Sequence, residues 1–425
     1  MKKLTLLFVI ALTIQVTVSS QPCLPEGITF TTQTQIDSFQ IVHPNCTEIE
    51  GDVLIEGNDI TNLNGLSILT VFGGNLSIMN NPALTSLTGL GNVTAIAGSL
   101  IFDFNYALTS LTGLDNVISI GGDLGIGNST SLTSLTGLDN VTSIGGGLYI
   151  DDNAALTSLT GLDYVTSIGG LLYIDFNVAL SSLTGLNNLV SIGGGLVIFE
   201  NNTLTSLTGL DNVTTIGEYL SIDENDALTD LTGLDNVTSI GGFIGISFND
   251  ALTSLTGLNN VTSIGGTLGI VWNNALTSLT GLENIDAASI IDLDIYNNNS
   301  LSTCEVQSVC DYLASPNGDI EIHDNAIGCN SQEEVEDACH TIGVPDINAQ
   351  FEFIIYPNPA KRELFISSKS GVKINEVNIY NQLGQKRLQQ TRTTNKIDIS
   401  TLGQGMYVIE IVSNKSSIRE KLIIK

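Results

Sequence analysis

The 425-residue chain carries 44 acidic side chains against 14 basic ones, a formal charge of −30. The charge is segregated: no Lys or Arg lies between Leu4 and Gln350, where 38 acids fall, while residues 351–425 hold twelve basic residues and six acidic ones. A body without cationic side chains cannot neutralise phosphates, which excludes nucleic acid as its partner and removes any attraction to an anionic membrane surface.

Residues 1–20 have the pattern of a secretory signal peptide. Lys2 and Lys3 precede a mostly apolar stretch from Leu4 to Val18, and Val18-Ser19-Ser20 places small residues before Gln21. The stretch is short and broken by Thr5, Thr13 and Gln15, and no later segment is apolar for long enough to span a bilayer, so no transmembrane segment is expected. The mature chain is expected outside the cytoplasm. All six cysteines flank the central region: Cys23 and Cys46 before it, and Cys304, Cys310, Cys329 and Cys339 after it. In an exported protein this even count points to disulfides, with Cys23–Cys46 the natural local pair. The other four allow three pairings. No C-x-x-C pair or interleaved His has zinc-site spacing.

The central region is repetitive. A heptad of the form L-T-S-L-T-G-L begins at Leu84 and returns every 24 residues to Leu276, with a degenerate copy at Ile60. Within one repeat, Leu148-Tyr149-Ile150-Asp151 alternates apolar and polar residues, as a half-buried strand does. Asn153 follows and recurs at Asn81, Asn105, Asn177, Asn201, Asn225, Asn249 and Asn273, which predicts an inward amide ladder bonding adjacent turns. Leu156, Leu159, Leu162, Val165 and Ile168 then recur every third residue, a spacing that suits a chain winding around a narrow core. Gly161 and its equivalents fall where a turn needs positive φ or close backbone approach, and Gly-Gly pairs such as Gly145-Gly146 mark the next corner. One coil cannot bury its own apolar edge, so neighbours must stack about 4.8 Å apart. Roughly eleven coils are expected, spanning about 50 Å. Ser302-x-x-Glu305 and Ser331-x-x-Glu334 read as capping boxes opening two short helices.

The strand-Asn-Leu pattern resembles leucine-rich repeats, and the helix-poor coil is most similar to the receptor L-domain type of solenoid. The resemblance covers about residues 50–340. It implies binding of proteins or glycans through an exposed sheet, and no enzymatic activity as a class.

After residue 350 alternating strands are expected at 363–367, 374–380, 396–400, 406–412 and 418–424. Tyr356-Pro357-Asn358-Pro359-Ala360, the turn through Gly384, the Gly405 segment and the terminal run from Lys421 to Lys425 resemble, in order, the type A C-terminal sorting domain of the type IX (Por) secretion system of Bacteroidota. That resemblance implies handling by the type IX machinery, and either release or attachment to surface lipopolysaccharide.

The fold class expected is all-β dominated: a right-handed leucine-rich β-solenoid with a short helical C-terminal cap, then a small immunoglobulin-like β-sandwich. The expected divisions are a signal at 1–20, an N-terminal cap at 21–50, the solenoid at 51–303, a Cys-containing cap at 304–345, a linker at 346–352 and the sorting module at 353–425.

Three outward columns of the repeats vary while the buried ones do not. Tyr149, Asp151, Tyr173, Asp175, Phe176, Phe199, Phe248 and Trp272 make a strip of rings beside carboxylates, which suits a protein or glycan ligand, as in adhesion. Asp115, Asp139 and Asp163 stack in another column. Calcium is the one ion such oxygen-rich columns suit, although an Asx bond to the turn backbone explains these residues without metal. No cofactor is implied. Acids on an exposed strip are expected to keep ordinary pKa values, and no nucleophile–base or phosphate-loop motif is present, so catalysis is not expected. The alternatives are an extracellular glycan-processing enzyme built on pairs such as Asp151 and Asp175, and a purely structural surface spacer.

Overall fold

The computed structural model describes residues 21–342, 353–368, 374–391, 396–413 and 417–425. The signal at 1–20 and the linker at 346–352 lie outside the described residues. The chain divides into two compact units, one ending at Cys339 and the other starting at His340.

In the first unit each winding, 24 residues long from Leu76 to Leu268 and 23–27 elsewhere, lays one three- or four-residue strand on the winding before it. Leu148, Tyr149, Ile150 and Asp151 pair in parallel with Leu172, Tyr173, Ile174 and Asp175, and so on in unbroken register. The result is a parallel sheet of 13 strands, from Ile28–Phe30 to Ile320–His323. A second sheet of 10 strands, each two residues long, runs along the Gly-Gly corner from Pro22–Cys23 to Ser239–Ile240. There are thirteen windings in place of the eleven expected, because segments assigned to the caps, Ile28–Phe30 and Ile320–His323, continue the same ladder. At about 4.8 Å per step the longer sheet spans about 58 Å.

The interior is built as the period of three requires. Leu148, Ile150, Leu156, Leu159, Leu162, Val165 and Ile168 are all fully buried, each stabilising by about 1.5–3 kcal/mol. Asn177 shows how the amide ladder works. Its Nδ2 donates to the Ile150 carbonyl at 2.8 Å and to the Asp175 carbonyl at 2.8 Å, while its Oδ1 accepts the Asn153 backbone N–H at 3.1 Å. One winding carries Ser129 instead, whose hydroxyl reaches only the Gly127 carbonyl. Gly161 has φ +115°, and a Cβ there would lie 2.3 Å from the backbone of Leu135 one winding back. Both conditions exclude any other residue.

The caps differ from expectation at both ends. Residues 21–50 include a helix α1, Gln33–Val42, opened by a capping box between Thr32 and Gln35, and the Cys23–Cys46 disulfide closes that segment. At the other end α2, Gln307–Ala314, starts after Val306 without a side-chain cap. The Ser302–Glu305 capping box is therefore not formed: Thr303 pairs with Ser278 of the preceding winding, which keeps this segment in the solenoid. Helix α3, Gln332–Ile342, does use Ser331, whose hydroxyl accepts the Glu334 N–H at 3.3 Å. The Glu334 carboxylate turns to the Gly328 and Asn330 N–H groups. The pairings left open are Cys304–Cys329 and Cys310–Cys339.

The second unit is two antiparallel sheets with a shared apolar core that includes Leu364, Ile366, Val377, Ile379, Ile409, Ile411 and Leu422. Its strands are those expected, with two more at Phe353–Tyr356 and Lys386–Thr391. The strand expected at 396–400 ends at Asp398.

Candidate functional site

The outward side chains of the long sheet form the site. Strand alternation turns Leu148 and Ile150 inward and therefore turns Tyr149 and Asp151 outward, where the unbroken register aligns them with Tyr173 and Asp175. The next residue in each winding ends the strand, and here the backbone turns left-handed. Asn80, Phe104, Asn128, Asp152, Phe176, Glu200, Glu224, Phe248, Trp272 and Asn297 all have φ between 48° and 59°. Asn tolerates this conformation, whereas bulky side chains there cost about 1–3 kcal/mol. The chain uses Asn at three of these turns and Phe, Trp or Glu at others. The costlier residues sit on the outer face: Phe176, Phe248 and Trp272 are 41%, 45% and 40% exposed.

The rings associate along the strip. Phe248 and Trp272 stack with centroids 5.6 Å apart and planes 8° from parallel. Phe176 meets Phe199 edge to face at 5.7 Å, and Tyr149 lies 6.3 Å from Tyr173. A further pair, Tyr219 and Phe243, stacks at 4.9 Å just before the strand. These two were not foreseen, because their column holds Gly147, Leu171, Gly195 and Thr267 in other windings.

Between the rings lie carboxylates whose protonation is shifted. Gly127 leaves a gap in the strip, and the Asp151 carboxylate lies over it, 2.7 Å from where a Cβ would be. Burial there, then the charges of Asp103, Asp175 and Asp152, push the Asp151 pKa up to about 6. Burial also raises Asp175, against a hydrogen bond donated by the Tyr173 hydroxyl at 2.8 Å. The same contact, added to burial, pushes Tyr173 up to about 12. Asp175 Oδ1 is buried without a hydrogen-bond partner. Partial burial, then Glu224 and Asp175, raises Glu200. The expectation of ordinary pKa values on this strip is thus corrected: the glycine gap and the neighbouring rings desolvate the acids despite their outward direction.

The other aspartate column has a structural role. Asp115, Asp139 and Asp163 each accept the N–H of the glycine two residues earlier, at 2.7–2.9 Å. Among the described residues no group of three or more His, Cys, Asp or Glu side chains is placed to hold a metal ion.

In the second unit the two ends of the sorting motif, 356–360 and 421–425, meet at one sheet edge, while Gly384 lies in the turn at the other. The Asn358 side chain donates to the Lys421 carbonyl at 2.7 Å and accepts the Ile423 N–H at 2.9 Å. Lys425 N–H reaches the Ala360 carbonyl at 2.8 Å. Tyr356 stacks on Phe365, and cis bonds precede Pro357 and Pro359. Gly384 makes the left-handed residue of the 381–385 turn, and Gly405 opens the strand Gly405–Ser413. These two side-chain bonds of Asn358 join positions 63 and 65 residues apart in sequence.

Comparison with known proteins agrees with this second unit. Residues 354–425 match the secretion system C-terminal sorting domain, Por_Secre_tail. Comparison with curated proteins gives no match. Among the described residues no helix is long and apolar enough to cross a membrane. The chain therefore carries a type IX sorting domain behind a leucine-rich solenoid, and type IX secretion delivers it to the extracellular space or the cell surface.

Proposed function

We propose that the solenoid binds a protein or glycan ligand through the strip of Tyr149, Asp151, Tyr173, Asp175, Phe176, Phe199, Phe248 and Trp272, serving adhesion or ligand capture at the cell surface. The observation that carries this reading is the exposed Phe and Trp held in left-handed backbone where sister windings use Asn. Residues kept at such a conformational cost on an outer face act through their side chains. In this reading 21–50 and 304–345 cover the ends of the stack, and 353–425 serves delivery through the type IX machinery, with release or attachment to lipopolysaccharide to follow. The test is a glycan array and cell-adhesion assay on the full chain beside Phe248→Ala with Trp272→Ala. Loss of binding in the double variant supports the reading, and unchanged binding and adhesion leave a structural spacer.

A second reading has one observation in its favour. Asp151, with a pKa of about 6, lies one winding from Asp175, about 4.8 Å along the stack. Retaining glycoside hydrolysis also uses a pair of carboxyl groups, one of them with a raised pKa. A reducing-sugar assay separates the two readings: ligand binding requires no turnover, and turnover abolished by Asp151→Asn establishes the enzyme.

A further inference from the structure

This inference rests on the binding strip proposed above and names its occupant. We propose that the strip docks an extended basic protein segment, whose Lys or Arg side chains lie among Asp151, Asp175 and Glu200 and whose apolar neighbour packs on Phe248 and Trp272.

Ring orientation argues for a protein segment and against a sugar chain. Phe248 and Trp272 are nearly parallel, with a centroid separation close to the winding spacing, and Tyr219 with Phe243 repeats this at 4.9 Å and 6°. The rings of these two pairs cover each other's faces, unlike Phe176 and Phe199, whose planes are 89° apart. A pyranose needs a free ring face. Ring edges and the slots beside them accept aliphatic and cationic side chains instead.

Charge complementarity selects the sign. Residues 21–350 contain no Lys or Arg, so the solenoid itself supplies no Lys or Arg to pair with the carboxylates of the strip. Asp151 lies among the like charges of Asp103, Asp175 and Asp152, and Asp175 Oδ1 is buried without a hydrogen-bond partner. A guanidinium between neighbouring carboxylates pairs with both, and its flat face suits the edge of an aromatic ladder. An anionic polysaccharide or an acidic protein is repelled by the same surface.

The dimensions fit a short extended segment. Asp151 and Trp272 are five windings apart, about 24 Å. An extended peptide of about seven residues covers that distance at about 3.4 Å per residue, and about ten residues reach past its ends.

The test uses the purified full chain and two fluorescein-labelled ten-residue peptides, one alternating Arg and Ser around a central Leu, the other alternating Glu and Ser around it. Trp272 is the only tryptophan in the chain, so its emission reports the strip directly. The Arg peptide is expected to bind, to change Trp272 emission and to weaken with added salt, and the Glu peptide is not expected to bind. Asp151→Asn with Asp175→Asn and Glu200→Gln should weaken binding at least tenfold. Removing three exposed acids elsewhere, with Glu26→Gln, Glu333→Gln and Asp337→Asn, should change it less than twofold. Equal loss in both triple variants assigns binding to the bulk charge of the body and overturns the inference. So does tighter, strip-dependent binding of a chitosan oligomer. If the Arg peptide fails while a neutral glycan shifts Trp272 emission, the basic-segment inference falls and the binding strip stands. If neither probe shifts that emission and Phe248→Ala with Trp272→Ala leaves adhesion intact, both fall.

Discussion

Replacing Asn177 with Ala would cut the amide ladder at its middle. The change removes the donor to the Ile150 carbonyl and the acceptor for the Asn153 N–H, bonds of 2.8 and 3.1 Å between groups in the buried interior. The Asp175 carbonyl keeps a bond from the Asp152 N–H at 3.1 Å and is not orphaned. The Ile150 carbonyl keeps the ladder bond that its pairing with Ile174 gives it, so one buried donor, the Asn153 N–H, is orphaned. That costs about 1–3 kcal/mol, and the expected loss is about 2–4 kcal/mol with the small cavity included. Urea unfolding of the full chain followed by circular dichroism measures it, with Asn202→Ala on the surface as control. Asn177→Ser should be milder, since Ser129 shows that a hydroxyl keeps one bond to the backbone two residues earlier. A loss below about 1 kcal/mol, or one no larger than that of the surface control, would refute the claim that the ladder joins adjacent windings.

Other expectations follow from the same geometry. Gly241→Ala places a Cβ 2.0 Å from the Gly217 carbonyl oxygen, whereas at Gly242 the nearest atom is 3.1 Å away and a sister winding already carries Glu218 there; the first variant should lose soluble yield and the second should not. Asp151 has a folded pKa of about 6 against an ordinary 3.8, so the folded state binds its proton more tightly and stability rises as pH falls from about 6 towards 4. Asp151→Asn should therefore stabilise the protein at pH 7 and change little at pH 4, by about 1 kcal/mol once solvent around this half-exposed carboxyl is allowed for. Melting curves at the two pH values check the sign. Glu224 has φ 55° and is exposed, so Glu224→Asn should raise stability by about 1 kcal/mol by relieving a left-handed Glu, visible as a higher urea midpoint.

Most of the solenoid could be read before any coordinates, because each buried column repeats one residue type in strict register. Leucine every third position and Asn153 with its equivalents leave no other way to satisfy both burial and hydrogen bonding. The left-handed turn after each strand was not legible: Phe176, Glu200 and Trp272 bear none of the Gly or Asn signature of that conformation. Ser302 and Glu305 matched the capping pattern by spacing alone, while pairing with the preceding winding decided the backbone there. Helix α1 was overlooked because it is short and its buried contribution is only Ile36 and Phe39. On the strip, the ring and acid positions were visible as variable columns. Desolvation of Asp151 was not, because it depends on Gly127 in the neighbouring winding. Tyr219 and Phe243 escaped for a related reason: a partner one winding away, not a neighbour in sequence, makes them a pair.

The account depends on windings stacked in register, and distances between equivalent positions test this most directly. All six cysteines are in disulfides, so spin labels can be placed at cysteines introduced at exposed threonines of one column. Thr109 with Thr205, Thr109 with Thr253, and Thr85 with Thr277 are four, six and eight windings apart, and double electron–electron resonance should give about 19, 29 and 38 Å. Distances that fail to grow with the number of windings would contradict the stack.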